Sequence, residues 1–312
     1  MKLATFRAKG SRNARPGLVV GERIHDFATL ARTDPAAPKR PVKTLKAAIE
    51  RWDEWHRFLA GAAQRTRDGG VALAAVELLP PIPDPGKFLC VGKNNRTHLE
   101  ELKRNALIRE IPDEPTGFLK VNGCLVGDRA RVARPPGITT MDYEPELVFV
   151  IARRAHGIAR EEALDYVAGV TLFNDLTARE IQQREVKMGT RFWTAKNMPG
   201  FGPLGPWFVT LDEVGDPNAL ELVCRVNGEE RIRYRISDQL FDFGTALAHF
   251  SRYVPFEPGD LISMGAPSGS AIGQADPAAF YLKPGDTVEV ACERIGTLTN
   301  AVVAGRAPRR ST

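Results

Sequence analysis

Four prolines fall within the seven-residue stretch Pro80-Pro81-Ile82-Pro83-Asp84-Pro85-Gly86. Each lacks a backbone N–H and fixes φ, so this stretch can be neither helix interior nor central strand. It divides the 312 residues into a leading unit, 1–80, and a body, 81–312. A chain of that length suits one large domain, or one domain with a smaller companion. In the leading unit, Val19-Val20 and Ile24 flank a turn at Gly21 and read as short strands. From Val42 to about Arg65 the residues Leu45, Ile49, Trp52, Trp55 and Leu59 recur at three- and four-residue steps. That period predicts helix with one buried stripe.

In the body, strand patterns dominate. Strands are expected at 88–91, 118–121, 144–152, 207–211, 220–226, 261–264 and 287–292. Asn122-Gly123 and Asn227-Gly228 are hairpin-turn dipeptides. Pro258-Gly259-Asp260 and Pro284-Gly285-Asp286 read as turns that deliver the chain into strands. Helices are expected at 96–104, 160–167, 178–187 and 239–253. Many strands interrupted irregularly by a few helices imply an α+β fold rather than regular βαβ units.

Charge and composition exclude several roles. The net charge is +5, from 43 basic and 38 acidic residues. None of the basic clusters is interleaved with aromatics in a nucleic-acid-binding manner, so nucleic acid is not an expected partner. No apolar run is long enough to span a bilayer, and the start, Met1 to Arg7, turns charged too soon for a signal peptide. A cytoplasmic protein is expected. Cys90, Cys124, Cys224 and Cys292 form no Cys-x-x-Cys pair, which points to buried free thiols rather than zinc or disulfides.

The chemistry concentrates around Asp142-Tyr143-Glu144-Pro145-Glu146-Leu147 and Asn174-Asp175. On a strand, Glu144 and Glu146 point to one side. Asp175 ends a second apolar run. Three converging carboxylates repel one another unless a cation lies between them, and all-oxygen ligation suits Mg²⁺, Mn²⁺ or Ca²⁺. The same pattern also describes a solvated strand face, and the spacing alone leaves both readings open. His98 and Glu101 are i, i+3 neighbours on an expected helix, where a carboxylate beside imidazole makes a general base. Lys196 follows Phe192-Trp193-Thr194-Ala195 and precedes a Pro- and Gly-rich turn, a setting in which an ammonium can face a cleft.

The order of these pieces resembles the fumarylacetoacetate hydrolase family. It runs through His98-x-x-Glu101, Phe118-Leu119-Lys120, Asp142-Tyr143-Glu144-x-Glu146-Leu147, Asn174-Asp175-x-x-Ala178-Arg179-x-x-Gln182 and Trp193-x-x-Lys196. It continues through Pro203-Leu204-Gly205-Pro206, Val226-Asn227-Gly228-Glu229 and Gly265-x-Pro267-x-Gly269 to Gly296-x-Leu298-x-Asn300. The resemblance implies a mixed β-roll, barrel-like body preceded by a small N-terminal α+β domain, and a homodimer. It implies Mg²⁺ or Mn²⁺ held by Glu144, Glu146 and Asp175. It places a water-activating dyad at His98 and Glu101, contacts to the reacting oxygens at Lys196 and Gln182, and Lys120 near the cleft. Asn95, Pro199 and Ala266 depart from the residues usual at those places.

The activity so implied is metal-dependent hydrolysis of a carbon–carbon bond in a β-diketo acid of the acylpyruvate or fumarylpyruvate type, in aromatic or related carbon catabolism. The partner is then a small oxo acid. The alternatives are a decarboxylase, isomerase or hydratase acting on an oxo-dicarboxylate or enol-dienoate, and a non-catalytic ligand-binding protein.

Overall fold

A computed structural model of the chain describes residues 1–66, 68–96, 99, 103, 111–190 and 192–306. Its strands are β1 (Lys2–Ala8), β2 (Arg15–Val20), β3 (Arg23–Asp26), β4 (Val71–Ala72), β5 (Val76–Leu79), β6 (Phe88–Gly92), β7 (Thr116–Leu119), β8 (Leu125–Val126) and β9 (Arg131–Arg134). They continue with β10 (Met141–Asp142), β11 (Pro145–Ile151), β12 (Val167–Asn174), β13 (Thr177–Ala178) and β14 (Gly202–Thr210). The last are β15 (Glu221–Val226), β16 (Glu229–Arg235), β17 (Leu261–Ser263), β18 (Thr287–Cys292) and β19 (Gly296–Ala304).

Together with the helices, these strands make the α+β fold expected from the sequence. The main sheet has 12 strands in the order β4-β3-β2-β1-β14-β12-β11-β17-β6-β7, with β5 on β1 and β8 on β14. This hydrogen-bonded path is open, ending at β4 and β7. A 5-stranded sheet, β16-β15-β18-β19-β9, and the pair β10-β13 complete the set among the described residues. No described helix is long and apolar enough to cross a membrane.

Two details differ from the sequence expectation. Asn122-Gly123 does not close a hairpin: it forms a 3₁₀ turn, Asn122–Cys124, after which β8 leaves to pair with β14 while β7 pairs with β6. The side chain of Asn197 accepts the Val121 N–H at 2.8 Å and holds the chain on that course. Asn227-Gly228 does turn β15 into β16, with both residues at positive φ (54° and 81°) as a type I′ turn requires. The helical stretch after Val42 is two helices, Leu45–Ile49 and Trp52–Arg65, broken where Arg51 leaves helical geometry.

β11 is buried along its whole length. Its alternate side chains enter two different cores. Leu147, Phe149 and Ile151 join the larger core with Leu172, Leu222 and Val290. Val148 and Val150 join the core shared with Trp55, Phe88, Phe173 and Phe208. A strand buried on both faces has to read as a continuous apolar run, as this one does. Strand alternation puts Glu144 and Glu146 on the side of Val148 and Val150.

Candidate metal centre

Glu144 and Glu146 lie at the entry to β11, and Asp175 follows the last residue of β12. The two strands are antiparallel neighbours, with Glu146 paired to Phe173 and Pro145 to Asn174. Asn174 sets the junction: its Oδ1 accepts the Glu144 N–H at 2.9 Å, while the Asp175 N–H donates to the Glu144 carbonyl at 2.9 Å. Each of the three carboxylates offers an oxygen within 4.8 Å of the others, and all three are buried.

Three cations hold this group. The Lys196 ammonium donates to Glu144 Oε2, to Asp175 Oδ2 and, at 2.8 Å, to Thr177 Oγ1. Lys120 donates to Asp175 Oδ1 at 2.8 Å and to the carbonyls of Lys196 and Phe201. Arg179 forks between Asp142 Oδ2 at 2.7 Å and Glu144 Oε1 at 2.6 Å, and also reaches Gln182 Oε1 at 2.9 Å. Arg179, Lys120 and Lys196 are all buried. Burial alone would lower the Lys196 pKa, but the charges of Asp175 and Glu144 outweigh it and raise it. Glu146 is held differently, accepting from Ser263 Oγ and, at 3.0 Å, from the Gly265 N–H. Burial first, and then the charge of Asp175, push its carboxyl up to about 8.

The structure thus brings Glu144, Glu146, Asp175, Lys196, Lys120 and Gln182 into one cluster. The expected dyad, His98 and Glu101, lies outside the described residues. Of the departing positions, Asn95 is buried and forms an isolated bridge to Gln239. Ala266 is buried in the loop after β17.

The family described as fumarylacetoacetate (FAA) hydrolase C-terminal matches residues 87–303. The chain belongs to the fumarylacetoacetate hydrolase family. The mitochondrial oxaloacetate tautomerase FAHD2A of Homo sapiens is 33% identical over 303 residues, covering 97% of this chain and 92% of that protein. A maleylpyruvate hydrolase from Sphingobium sp. SYK-6, solved in complex with manganese(II) ion and pyruvate, is 25% identical with a TM-score of 0.77. That match covers 98% of this chain and 100% of the other. A 5-carboxymethyl-2-hydroxymuconate delta-isomerase from Mycobacterium smegmatis is 28% identical with a TM-score of 0.72, over the same shares of the two chains. Hydrolases, isomerases and tautomerases therefore share this family fold.

The donor set of this family member fits a hard divalent cation. It is all oxygen, converging and buried, the chemistry that Mg²⁺ and Mn²⁺ prefer. Charge points the same way. The buried cluster sets four carboxylates (Asp142, Glu144, Glu146, Asp175) against three cations (Lys120, Arg179, Lys196). With Glu146 ionised that is one negative charge in excess, which a divalent cation would turn into one positive charge.

Arg179 and Asp142 were given no role by the sequence reading, although both stand inside the motifs it singled out. The available signal is spacing: Arg179 lies three residues before Gln182 on the helix Arg179–Lys187, so the two share one face. Asp142 also accepts the N–H groups of Ala271 at 2.8 Å and Ile272 at 3.1 Å. It therefore ties the late loop to the site.

Glu146 should make the metal-free protein sensitive to pH. Its folded pKa of about 8 exceeds the ordinary carboxyl value of 4.5. The stability it contributes is then fully present below the unfolded pKa and is lost as pH rises through the folded one. In the presence of chelator, the melting temperature should fall by several degrees between about pH 5 and pH 9. Glu146→Gln should flatten that fall. A wild-type profile running parallel to that of the Glu146→Gln variant would show that Glu146 is not the group responsible.

Proposed function

We propose that this chain catalyses keto–enol tautomerisation of a C4 2-oxo dicarboxylate, with oxaloacetate as the substrate, using a divalent cation at Glu144, Glu146 and Asp175. The observation that carries this reading is the buried carboxylate triad interlocked with Lys196 and Arg179. End-to-end similarity to an oxaloacetate tautomerase supports the choice of substrate.

Tautomerisation moves one proton between the enol hydroxyl and the neighbouring carbon, and breaks no bond between heavy atoms. What needs stabilising is the enolate on the way. The cation, when bound, supplies Lewis-acid polarisation of the oxo group. Lys196 has an acceptor for each of its three N–H groups, the geometry of an ammonium rather than a free amine. Its part is electrostatic: by releasing one carboxylate contact it can donate to the developing enolate oxygen. Gln182 uses its carbonyl oxygen on Arg179, which leaves its amide N–H groups as donors. Arg179 holds Glu144, and Lys120 holds Asp175, in place by direct ion pairs. The proton itself is assigned to His98, oriented by Glu101, the pair that the sequence offers as a base.

Hydrolysis of an acylpyruvate is the second reading. It is favoured by the similarity to the maleylpyruvate hydrolase. Here His98 would activate water for attack on the distal carbonyl, and the broken C–C bond would leave pyruvate as its enolate, which takes up a proton.

One set of assays separates the readings. Loss of enol absorbance from oxaloacetate at unchanged mass marks tautomerisation. Two acids released from an acylpyruvate mark hydrolysis, and CO₂ release marks decarboxylation. Chelator should remove the activity and Mg²⁺ or Mn²⁺ should restore it. Full turnover in chelator would overturn the role of the triad, and acylpyruvate cleavage without oxaloacetate turnover would overturn the choice of reaction.

A further inference from the structure

A groove of about 560 Å³ lies far along the chain from the carboxylate cluster, between the loop 34–41 and the helix Trp52–Arg65. Lys39, Arg40, Arg51, Arg57 and Arg65 line it, against one carboxylate, Glu54. The helix supplies its share on a single face, since Glu54, Arg57, Gly61 and Arg65 follow one another at three- and four-residue steps.

The groove is tied at two places. Arg65 reaches from the helix to the carboxylate of Asp34 at the start of the loop. Arg51 donates to the Arg40 carbonyl at 2.6 Å and pairs with Glu54 at 2.5 Å. The loop itself is stiffened by prolines at every third residue, Pro35, Pro38 and Pro41. Gly61 lies inside the helix, where glycine costs about 1 kcal/mol relative to alanine. A Cβ at that position would stand 2.7 Å from Arg65 Nη1, so the missing side chain leaves the Arg65 guanidinium its place across the helix.

Two of the five basic groups are thus spent on holding the walls. The other three, Lys39, Arg40 and Arg57, are exposed and have no carboxylate partner among the described residues. Phe58, a core residue packed on Trp55, closes the floor of the groove. The chain as a whole carries a net charge of only +5. Concentrating three unpaired cations over a preformed floor creates a strongly positive local field. The volume falls in the range of small-molecule sites, about 300–1,000 Å³.

We propose that this groove, which shares no lining residue with the carboxylate cluster, is a second binding site for a small polyphosphate anion. Lys39, Arg40 and Arg57 would meet the phosphates. The inference does not depend on the reaction assigned to the carboxylate cluster.

Isothermal titration of the full-length protein with inorganic triphosphate and with ATP, at low and at moderate salt, tests it. Saturable binding is expected for both, weakening with salt. Arg57→Glu should weaken it at least tenfold, and the double variant Lys39→Ala, Arg40→Ala should do so through the opposite wall. Arg12→Glu, an equal charge change at an exposed position outside the groove, serves as the control and should leave binding within about twofold. ATP and triphosphate should bind within a few-fold of each other, because the exposed lining offers cations to the phosphates; binding of ATP alone would overturn recognition through the phosphates. Absence of saturable binding, or equal weakening by Arg57→Glu and Arg12→Glu, would overturn the site.

Discussion

Replacing Arg179 by leucine should cost the protein about 3–5 kcal/mol, the range seen when one member of a buried ion-pair group is removed. Arg179 is buried and forks between Asp142 and Glu144. Leucine fills much of the volume but leaves two carboxylates facing each other with no guanidinium between them. The cost comes from charge that is buried and uncompensated. Arg179→Lys should recover only part of the loss, because one ammonium cannot fork to two carboxylates as a planar guanidinium does. Urea unfolding in chelator at neutral pH measures each of these differences. A loss below about 1 kcal/mol at neutral pH would mean that the cluster is held together mainly by Lys120 and Lys196.

The second large effect is catalytic. Lys196→Met should lower kcat by about 10²–10³-fold, the magnitude typical of removing one donor from an enolate- or oxyanion-stabilising site. Lys196 contacts two of the three carboxylates, so the same variant can also act by spoiling the cation site. Titration with Mn²⁺ distinguishes the two: the variant should still bind the ion, with the loss falling on kcat. Lys196→Arg should not restore activity, because the larger guanidinium does not fit a pocket closed by Thr177 and the carboxylates. A variant that binds Mn²⁺ normally and turns over normally would remove Lys196 from the mechanism.

Much of this site was legible in the sequence because its parts follow short-range rules. Glu144 and Glu146 share a side through strand alternation, and Asp175 reaches them because an antiparallel neighbour ends beside them. Lys196 was visible through its setting among aromatics. What could not be read was the pairing of cations with carboxylates. Arg179 contacts Asp142, which lies 37 positions away, and Lys120 contacts Asp175, which lies 55 positions away. No local period encodes such distances. The turn at Asn122-Gly123 failed for a related reason. The dipeptide favours a hairpin locally, but β8 finds its partner in β14 and Asn197 holds the intervening backbone. In the leading unit the spacing of Leu45, Ile49, Trp55 and Leu59 gave the buried stripe correctly. It did not reveal the break at Arg51, whose side chain is engaged by Glu54 and the Arg40 carbonyl.

The two-sided burial of β11 also bears on how such a chain can diverge. Point substitutions at Leu147 or Val148 change one core at a time and can be absorbed by neighbours. Loss or gain of a single residue between Tyr143 and Leu147 is a different event. It would exchange the strand's two faces, sending the residues of one core into the other and turning Glu146 away from Asp175. A chain carrying this chemistry should therefore tolerate apolar exchanges at Leu147 or Val148 far better than any change in the length of the segment before them.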